Sequence, residues 1–353
     1  MKPLHGVTVL DISRLLPGGY ASLLLKDLGA RVIKLEQPGV GDYYRELLEE
    51  GILGSHHVNR INDGKETLGL DLKSTSGQEI FKKLVQEADI VIENFRPGVL
   101  KKLKLDYSVL RRTNPKIILC SITGFGQKGP DRHLGGHDLN YLGLTGLLSR
   151  IRDEKGNMVS PDFQITDLAA GWDASVKICA ALALQRKTGK GSWIDASLLD
   201  AGFSISRLYY TPPKPSSTKG PMEGPGHLSR YAVYETSDQK LMTFAPLEPK
   251  FWIQFCKAVG KPQWIEDLKK PNTDAPGRRK DLEALFKQKT AQEWMVIGRR
   301  ADLCLFPVVA LQDLPLRPAR PFPKLGTHTA RILRSIGYSA QEIRGFLSHK
   351  VIA

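Results

Sequence analysis

The sequence predicts an α/β protein with a parallel sheet, and three observations predict it. A β-α-β unit opens the chain. The same alternation of apolar strand-like runs and helical stretches repeats as far as residue 197. Two Pro- and Gly-rich stretches then mark off a smaller unit of different pattern.

The elements follow in order. Gly6-Val7-Thr8-Val9-Leu10-Asp11 reads as a buried strand. Pro17-Gly18-Gly19-Tyr20 opens an amphipathic helix, Ala21 to Leu28, which Gly29 closes. Arg31 to Glu36 is the next strand, and parallel strands with a crossover helix imply a right-handed connection. Thr67 to Leu72 is strand-like, Ser76 to Glu87 helical, and Ile90 to Glu93 a strand. Lys116 to Ser121 is another strand, Leu168 to Gln185 a helix, and Ser192 to Ser197 a further strand. The expected architecture is an open sheet, Rossmann-like in topology.

Residues 211–226 and 313–326 have linker composition. The expected layout is a large domain over 1–210, a linker over 211–226, a small α+β domain over 227–312, a linker over 313–326 and a C-terminal segment over 327–353. The small domain starts with a hairpin, Tyr231 to Thr236 and Lys240 to Ala245, turned at Ser237-Asp238. Helices follow at about 249–260 and 280–300, and the C-terminal segment carries a helix from Thr327 to Ile336.

The 353 residues are enough for two domains. No apolar run approaches the length of a membrane span, so no membrane partner is expected. Met1 to Gly6 leads straight into a strand, which argues against a leader peptide and for a cytoplasmic protein. The four cysteines form no Cys-x-x-Cys pair and read as buried thiols in a reducing compartment. A net charge of +14 suggests an anionic partner. The 51 Lys and Arg form no long basic block and no nucleic-acid module, so nucleic acid is not expected, whereas a phosphate-bearing ligand is.

The turn after the first strand, Ser13 to Gly19, lacks the G-x-G-x-x-G pattern of dinucleotide binding. Arg96, in Glu93-Asn94-Phe95-Arg96-Pro97-Gly98, follows the carboxyl end of a strand, where open sheets bind ligands. It could hold a phosphate through two parallel hydrogen bonds or form a surface salt bridge. Asn59-Arg60 and Lys65 make a second basic cluster. His137 stands in Gly135-Gly136-His137-Asp138-Leu139-Asn140-Tyr141, a Gly-flanked turn running into a helix start whose amides could hold an anionic oxygen. Asp167 falls at the start of an apolar helix, as an acid/base or as an N-cap with Thr166 competing. Glu248, before Pro249, could be a first-turn carboxylate favoured by the helix dipole. One His and one Asp on opposite sides of a substrate are what two-base proton transfer needs. No His spacing suits a metal, and none is expected.

These runs, with Leu28 to Pro38, Gly124-Phe125-Gly126-Gln127-Lys128-Gly129-Pro130, Thr188-Gly189-Lys190-Gly191-Ser192 and Tyr234-Glu235-Thr236, resemble the family III CoA-transferases. Within that family the resemblance is to the α-methylacyl-CoA racemase branch. It implies an interlocked homodimer with the active site between the large domain of one subunit and the small domain of the other. It also implies an acyl-CoA substrate, with coenzyme A entering as part of that substrate and no further cofactor required.

His137 occupies the position where many transferases carry an apolar residue. Asp167 matches the transferases' nucleophile and the racemases' second acid/base. Glu248, in Leu247-Glu248-Pro249, matches the carboxylate that pairs with the His. Arg96, helped by Arg45, Lys65 and Tyr141, is expected at coenzyme A. The resemblance therefore implies inversion at the α-carbon of a 2-methylacyl-CoA, with CoA transfer through Asp167 as the alternative and an acyl-CoA-binding protein without turnover as a third reading. Two features depart from the family pattern. Asp167-Leu168-Ala169-Ala170-Gly171-Trp172 has fewer glycines than the racemases show there, and the stretch between Val308 and Gly326 is short.

Overall fold

The structure is a computed structural model that describes residues 1–51, 54–153, 156–210, 225–270 and 273–353. Most of the first expected linker, 211–224, lies outside the described residues. The chain divides into two units, Met1–Tyr210 with Pro318–Ala353, and Thr211–Arg317.

In the larger unit the chain runs β1 (Thr8–Asp11), α1 (Leu16–Asp27), β2 (Arg31–Glu36), α2 (Tyr43–Glu49), α3 (Ser55–Ile61), β3 (Glu66–Gly69) and α4 (Thr75–Gln86). It continues through β4 (Ile90–Glu93), α5 (Val99–Lys102), α6 (Tyr107–Thr113), β5 (Ile118–Thr123), α7 (Asp138–Leu144), α8 (Ile165–Thr188), β6 (Trp193–Ser197) and α9 (Leu198–Ser206). The six strands form one parallel sheet in the order β3-β2-β1-β4-β5-β6. The order reverses between β1 and β4. The α/β class and the parallel sheet expected from the sequence are both found.

The apolar strand runs make sense because helices cover both sheet faces. Leu10, Val91 and Leu119 point into a core completed by Phe81 and Leu84 of α4. Their chain neighbours Val9, Ile92 and Cys120 point the other way, against Leu25 of α1 and Ala174 and Ile178 of α8. The C-terminal segment joins the first core through Ile332, Leu333 and Ile343. Its last residues pair with the end of β3, where Leu70 and Ile352 form an antiparallel bridge and Asp71 N–H donates to Val351 O at 2.8 Å.

The smaller unit holds β7 (Ala232–Glu235), β8 (Leu241–Phe244), α10 (Pro249–Ala258), α11 (Arg278–Phe286), α12 (Ala291–Ala301) and β9 (Leu305–Pro307). Its strands form an antiparallel sheet in the order β7-β8-β9. Tyr234, Phe244, Trp252, Phe286 and Trp294 make an aromatic core. The tail of the larger unit supplies α13 (Thr329–Ser335) and α14 (Ala340–Ser348).

Some boundaries differ from expectation. The single helix over 280–300 is two, because Thr290 caps α12 in a reciprocal box with Glu293 and so ends the run from Arg278. The helix α14 is absent from the sequence reading, although Ser339 and Glu342 form a second such box. Strand β3 ends at Gly69, because the tail takes over pairing beyond it.

Candidate active site

His137 and Asp167 start two helices that a third residue ties together. His137 is exposed and extended as the N-cap of α7, and its N–H donates to Asn140 Oδ1 at 3.0 Å. Asp138, the next residue, is buried. Its Oδ1 accepts from Thr166 N–H at 2.6 Å, from Thr166 Oγ1 at 2.5 Å and from Asp167 N–H at 2.9 Å. The carboxylate of one helix start thus satisfies amides that the first turn of α8 leaves without intrahelical partners. The N-cap of α8 is Gln164, so neither Asp167 nor Thr166 caps it; Asp167 lies in its first turn and leaves its carboxyl available.

Burial pushes the Asp167 carboxyl up to about 7, with the negative charge of Asp138 adding to the effect. Burial likewise raises the Tyr141 phenol, helped by Asp167 and opposed by Arg96. Tyr141 is buried against Phe125, ring centroids 5.3 Å apart. Glycines on two segments admit its hydroxyl: a Cβ on Gly124 would lie 2.1 Å from Tyr141 Oη, and one on Gly136 would lie 2.7 Å from it.

His137, Arg96 and Tyr141 line one cleft of about 250 Å³, with Asn94, Thr123 and Arg132. Arg96 is positioned by a loop held at both ends. Glu93 Oε2 accepts from Phe95 N–H at 2.8 Å. Asn94 exchanges hydrogen bonds with the Arg14 backbone, at 2.8 Å from its N–H and 2.6 Å to its carbonyl. Burial pushes Glu93 up to about 7 against the hydrogen bonds from Ser121 and Phe95.

Two residues expected at coenzyme A have partners within the large unit. Lys65 is fully buried; its ammonium donates to Gly19 O at 2.8 Å and pairs with Asp11 at 3.4 Å, so it serves the interior. Burial lowers its pKa to about 8, against the pull of Asp11. Arg45 is bound to Glu36 through two bonds of 2.7 and 2.8 Å, donates to Pro323 O at 3.0 Å and stacks over Phe322. Its guanidinium is committed to Glu36, which lines a neighbouring cleft.

That neighbouring cleft, of about 330 Å³, opens at the carboxyl ends of β1 to β4 and is lined by Arg14, Gln37, Lys73 and Phe95 among others. Open α/β sheets bind ligands at this edge, where strand order reverses. Sequence reasoning missed Arg14 and Lys73, although each follows a strand end and the edge rule could have flagged them. The cleft floor rests on buried ions. Lys34 pairs with Asp42 at 2.9 Å and Asp11 at 3.5 Å and also donates to Ser13 O. Burial pulls the Lys34 ammonium down, but Asp11 and Asp42 together hold it above its ordinary value.

Glu248 belongs to the smaller unit. It is the N-cap of α10, with Pro249 at the first helical position and no capping bond from its side chain. Among the described residues no group of His, Cys, Asp and Glu could hold a metal ion, and no helix is long and apolar enough to cross a membrane.

The profile of CoA-transferase family III matches residues 4–329. The chain belongs to this family. It is 31% identical to the alpha-methylacyl-CoA racemase of Homo sapiens, across 99% of this chain and 97% of that protein. It is 30% identical to the succinyl-CoA:glutarate CoA-transferase of Mus musculus, across 95% of this chain and 87% of that one. A solved CAIB/BAIF family protein from Brucella suis superposes with a TM-score of 0.76 at 25% identity, covering 95% of this chain and 99% of its own. This family III chain is thus an enzyme of the transferase and racemase superfamily, matched at similar identity by both activities.

Proposed function

We propose that the protein inverts the α-carbon of a 2-methylacyl-CoA thioester by two-base proton transfer. The observation that carries this is the pairing at the two helix starts. His137 and Asp167 are held through Asp138, and Asp167 has a proton affinity near neutrality. A general acid/base works best when its pKa lies near the working pH.

The thioester acidifies the α-proton because the resulting charge delocalises onto the carbonyl oxygen. His137 removes that proton from one face, and protonated Asp167 delivers one to the other. In the reverse direction the roles exchange. Glu248 matches the carboxylate that pairs with the His in the racemases, a role like that of the Asp of a triad. Arg96, whose side chain borders the cleft, takes a phosphate or pantetheine oxygen of coenzyme A, and the edge cleft with Arg14 and Lys73 suits the anionic nucleotide end. Coenzyme A is part of the substrate, and no separate cofactor or metal enters the chemistry. Trp172, Val176 and Leu184 leave an exposed apolar stripe on α8, which supports a homodimer with interlocked chains. Site and substrate fit a cytoplasmic enzyme.

The test is α-proton exchange of a 2-methylacyl-CoA in deuterated water without an acceptor acid. Exchange with loss of optical activity, abolished in His137→Ala, supports the racemase. Asp167→Asn is expected to block inversion while leaving His137-side exchange with retention.

A second reading is favoured by the comparable similarity to CoA-transferases. There the Asp167 carboxylate attacks the thioester carbonyl, the CoA thiolate leaves, and an acyl anhydride remains for a second acid. CoA transfer to an added acid, with no α-proton exchange, would establish that reading instead.

A further inference from the structure

Thr123 ends β5 with a hydroxyl that the fold does not use. The residue is 7% exposed, and among the described residues its Oγ1 is buried with no hydrogen-bond partner. Successive strand residues face opposite sides. Cys120 and Ile122 enter the core beside α8, while Ser121 lies on the other face, where it accepts from Trp193 Nε1 at 3.0 Å. Thr123 follows Ser121 on that second face, and it lines the same cleft as His137 and Arg96.

A buried hydroxyl left unpaired is a net cost to folding, and valine has the same shape without it. The strand position favours a β-branched side chain whichever of the two stands there. The branched Cβ also holds the hydroxyl in few rotamers, so a donor at this place comes nearly preorganised. The next residue must be glycine to pass Tyr141, which fixes the chain direction just beyond it.

We propose that Thr123 donates its hydroxyl proton in a hydrogen bond to the carbonyl oxygen of the bound acyl thioester, so that it contacts the reacting end of the substrate together with His137 and Asp167. The assignment rests on the acyl-CoA reading of the site. The oxygen concerned gathers negative charge in both chemistries, as an enolate during inversion and as a tetrahedral oxyanion during transfer. A donor aimed at charge that develops in the transition state acts on turnover more than on binding. No covalent bond to Thr123 forms at any stage, and the hydroxyl keeps its proton throughout.

The experiment compares wild type, Thr123→Val and Thr123→Ser with 2-methyldecanoyl-CoA as probe, followed by α-proton exchange in deuterated water and by CoA transfer to added succinate. Urea unfolding of each protein accompanies the kinetics. Thr123→Val is expected to lower kcat by about a hundredfold, the lower end of what losing one such donor costs, with little change in KM. Its unfolding midpoint is expected to stay at or above that of wild type, and Thr123→Ser to retain most of the turnover. Wild-type turnover in Thr123→Val, or a loss confined to KM, overturns the inference. So does a loss shared by Thr123→Ser and matched by a drop in midpoint, which would mark a packing role. Wild type inactive in both assays removes the acyl-CoA reading itself, and the substrate of this hydrogen bond with it.

Discussion

Asp138→Asn tests how the site is assembled, because one oxygen of Asp138 serves three donors. Asparagine keeps a carbonyl acceptor at that place and loses the charge. A hydrogen bond to a charged group contributes about 1.5–3 kcal/mol, against about 0.5–1.5 kcal/mol for a neutral one. The difference is about 1 kcal/mol per bond, and three bonds on one oxygen are not additive. Loss of a negative charge at a helix N-terminus adds about 0.3–1 kcal/mol. A destabilisation of about 2 kcal/mol follows in acid, near about pH 5, where Asp167 is mostly protonated in the folded protein.

The sign then changes the size of the effect with pH. Asp167 has a folded pKa raised to about 7 from 3.8, so the folded state holds its proton more tightly than the unfolded chain. Stability contributed by that proton is lost as pH rises from the unfolded value through the folded one. Burial is the larger cause of the shift and Asp138 the second, so Asp138→Asn lowers the Asp167 pKa without restoring it fully. The destabilisation is therefore smaller above about pH 8 than near about pH 5. Urea unfolding followed by circular dichroism at both pH values reads this directly, with an unchanged m-value as the control. Equal unfolding free energies for wild type and Asp138→Asn at both pH values would refute the reasoning.

Three further outcomes follow from other parts of the molecule. For inversion, kcat/KM is expected to trace a bell, because one base must be free and one acid protonated, and the bell is identical for the two enantiomers because their equilibrium is pH-independent. Transfer through ionised Asp167 predicts instead a single limb rising through about 7, so initial rates across pH separate the two. Lys34→Met removes the partner of buried Asp11 and Asp42 and is expected to cost about 3–5 kcal/mol in a urea titration. Gly124→Ala places a Cβ 2.1 Å from Tyr141 Oη. It is expected to destabilise by about 1–3 kcal/mol, with Tyr141→Phe in the same chain recovering part of the thermal midpoint.

The strands of the large unit were legible because they are buried on both faces. Runs such as Ile90-Val91-Ile92 suit a parallel sheet covered on both faces, and the alternation with helices points to one. The break between α11 and α12 was written at Thr290 and Glu293, a signal as local as the strand runs but hidden inside a continuous helical pattern. At the site, the placement of His137 and Asp167 at helix starts and of Arg96 beyond a strand end was legible. Lys65 was not, because a lysine reads as solvent-facing until the fold supplies a buried Asp11 beside it. Asp138 was read only as the start of a helix. Its role depends on a helix start 28 residues away, a distance that carries no periodic signal. Thr123 was invisible for a similar reason, since a threonine ending a strand is ordinary until its hydroxyl proves unpaired.

The arrangement divides labour between two kinds of support. At the reversal of strand order, the loops after β1 and β4 are locked to each other by the Arg14–Asn94 exchange and from below by the Lys34 network. That edge is cross-linked by hydrogen bonds and ion pairs and carries the cations Arg14 and Lys73. His137 and Asp167 stand elsewhere, at two helix starts joined through one carboxylate. A charge placed there does two things at once. It satisfies first-turn amides of α8, and it adds to burial in raising the proton affinity of the neighbouring Asp167. A cap of serine or threonine could do the first but not the second, because a neutral hydroxyl exerts no such field. Aspartate at position 138 is thus the choice that both builds the helix and poises the acid beside it. An ionised Asp167 would be favoured by a neutral partner at 138, so the charge there raises the proton affinity of Asp167 whichever chemistry it serves.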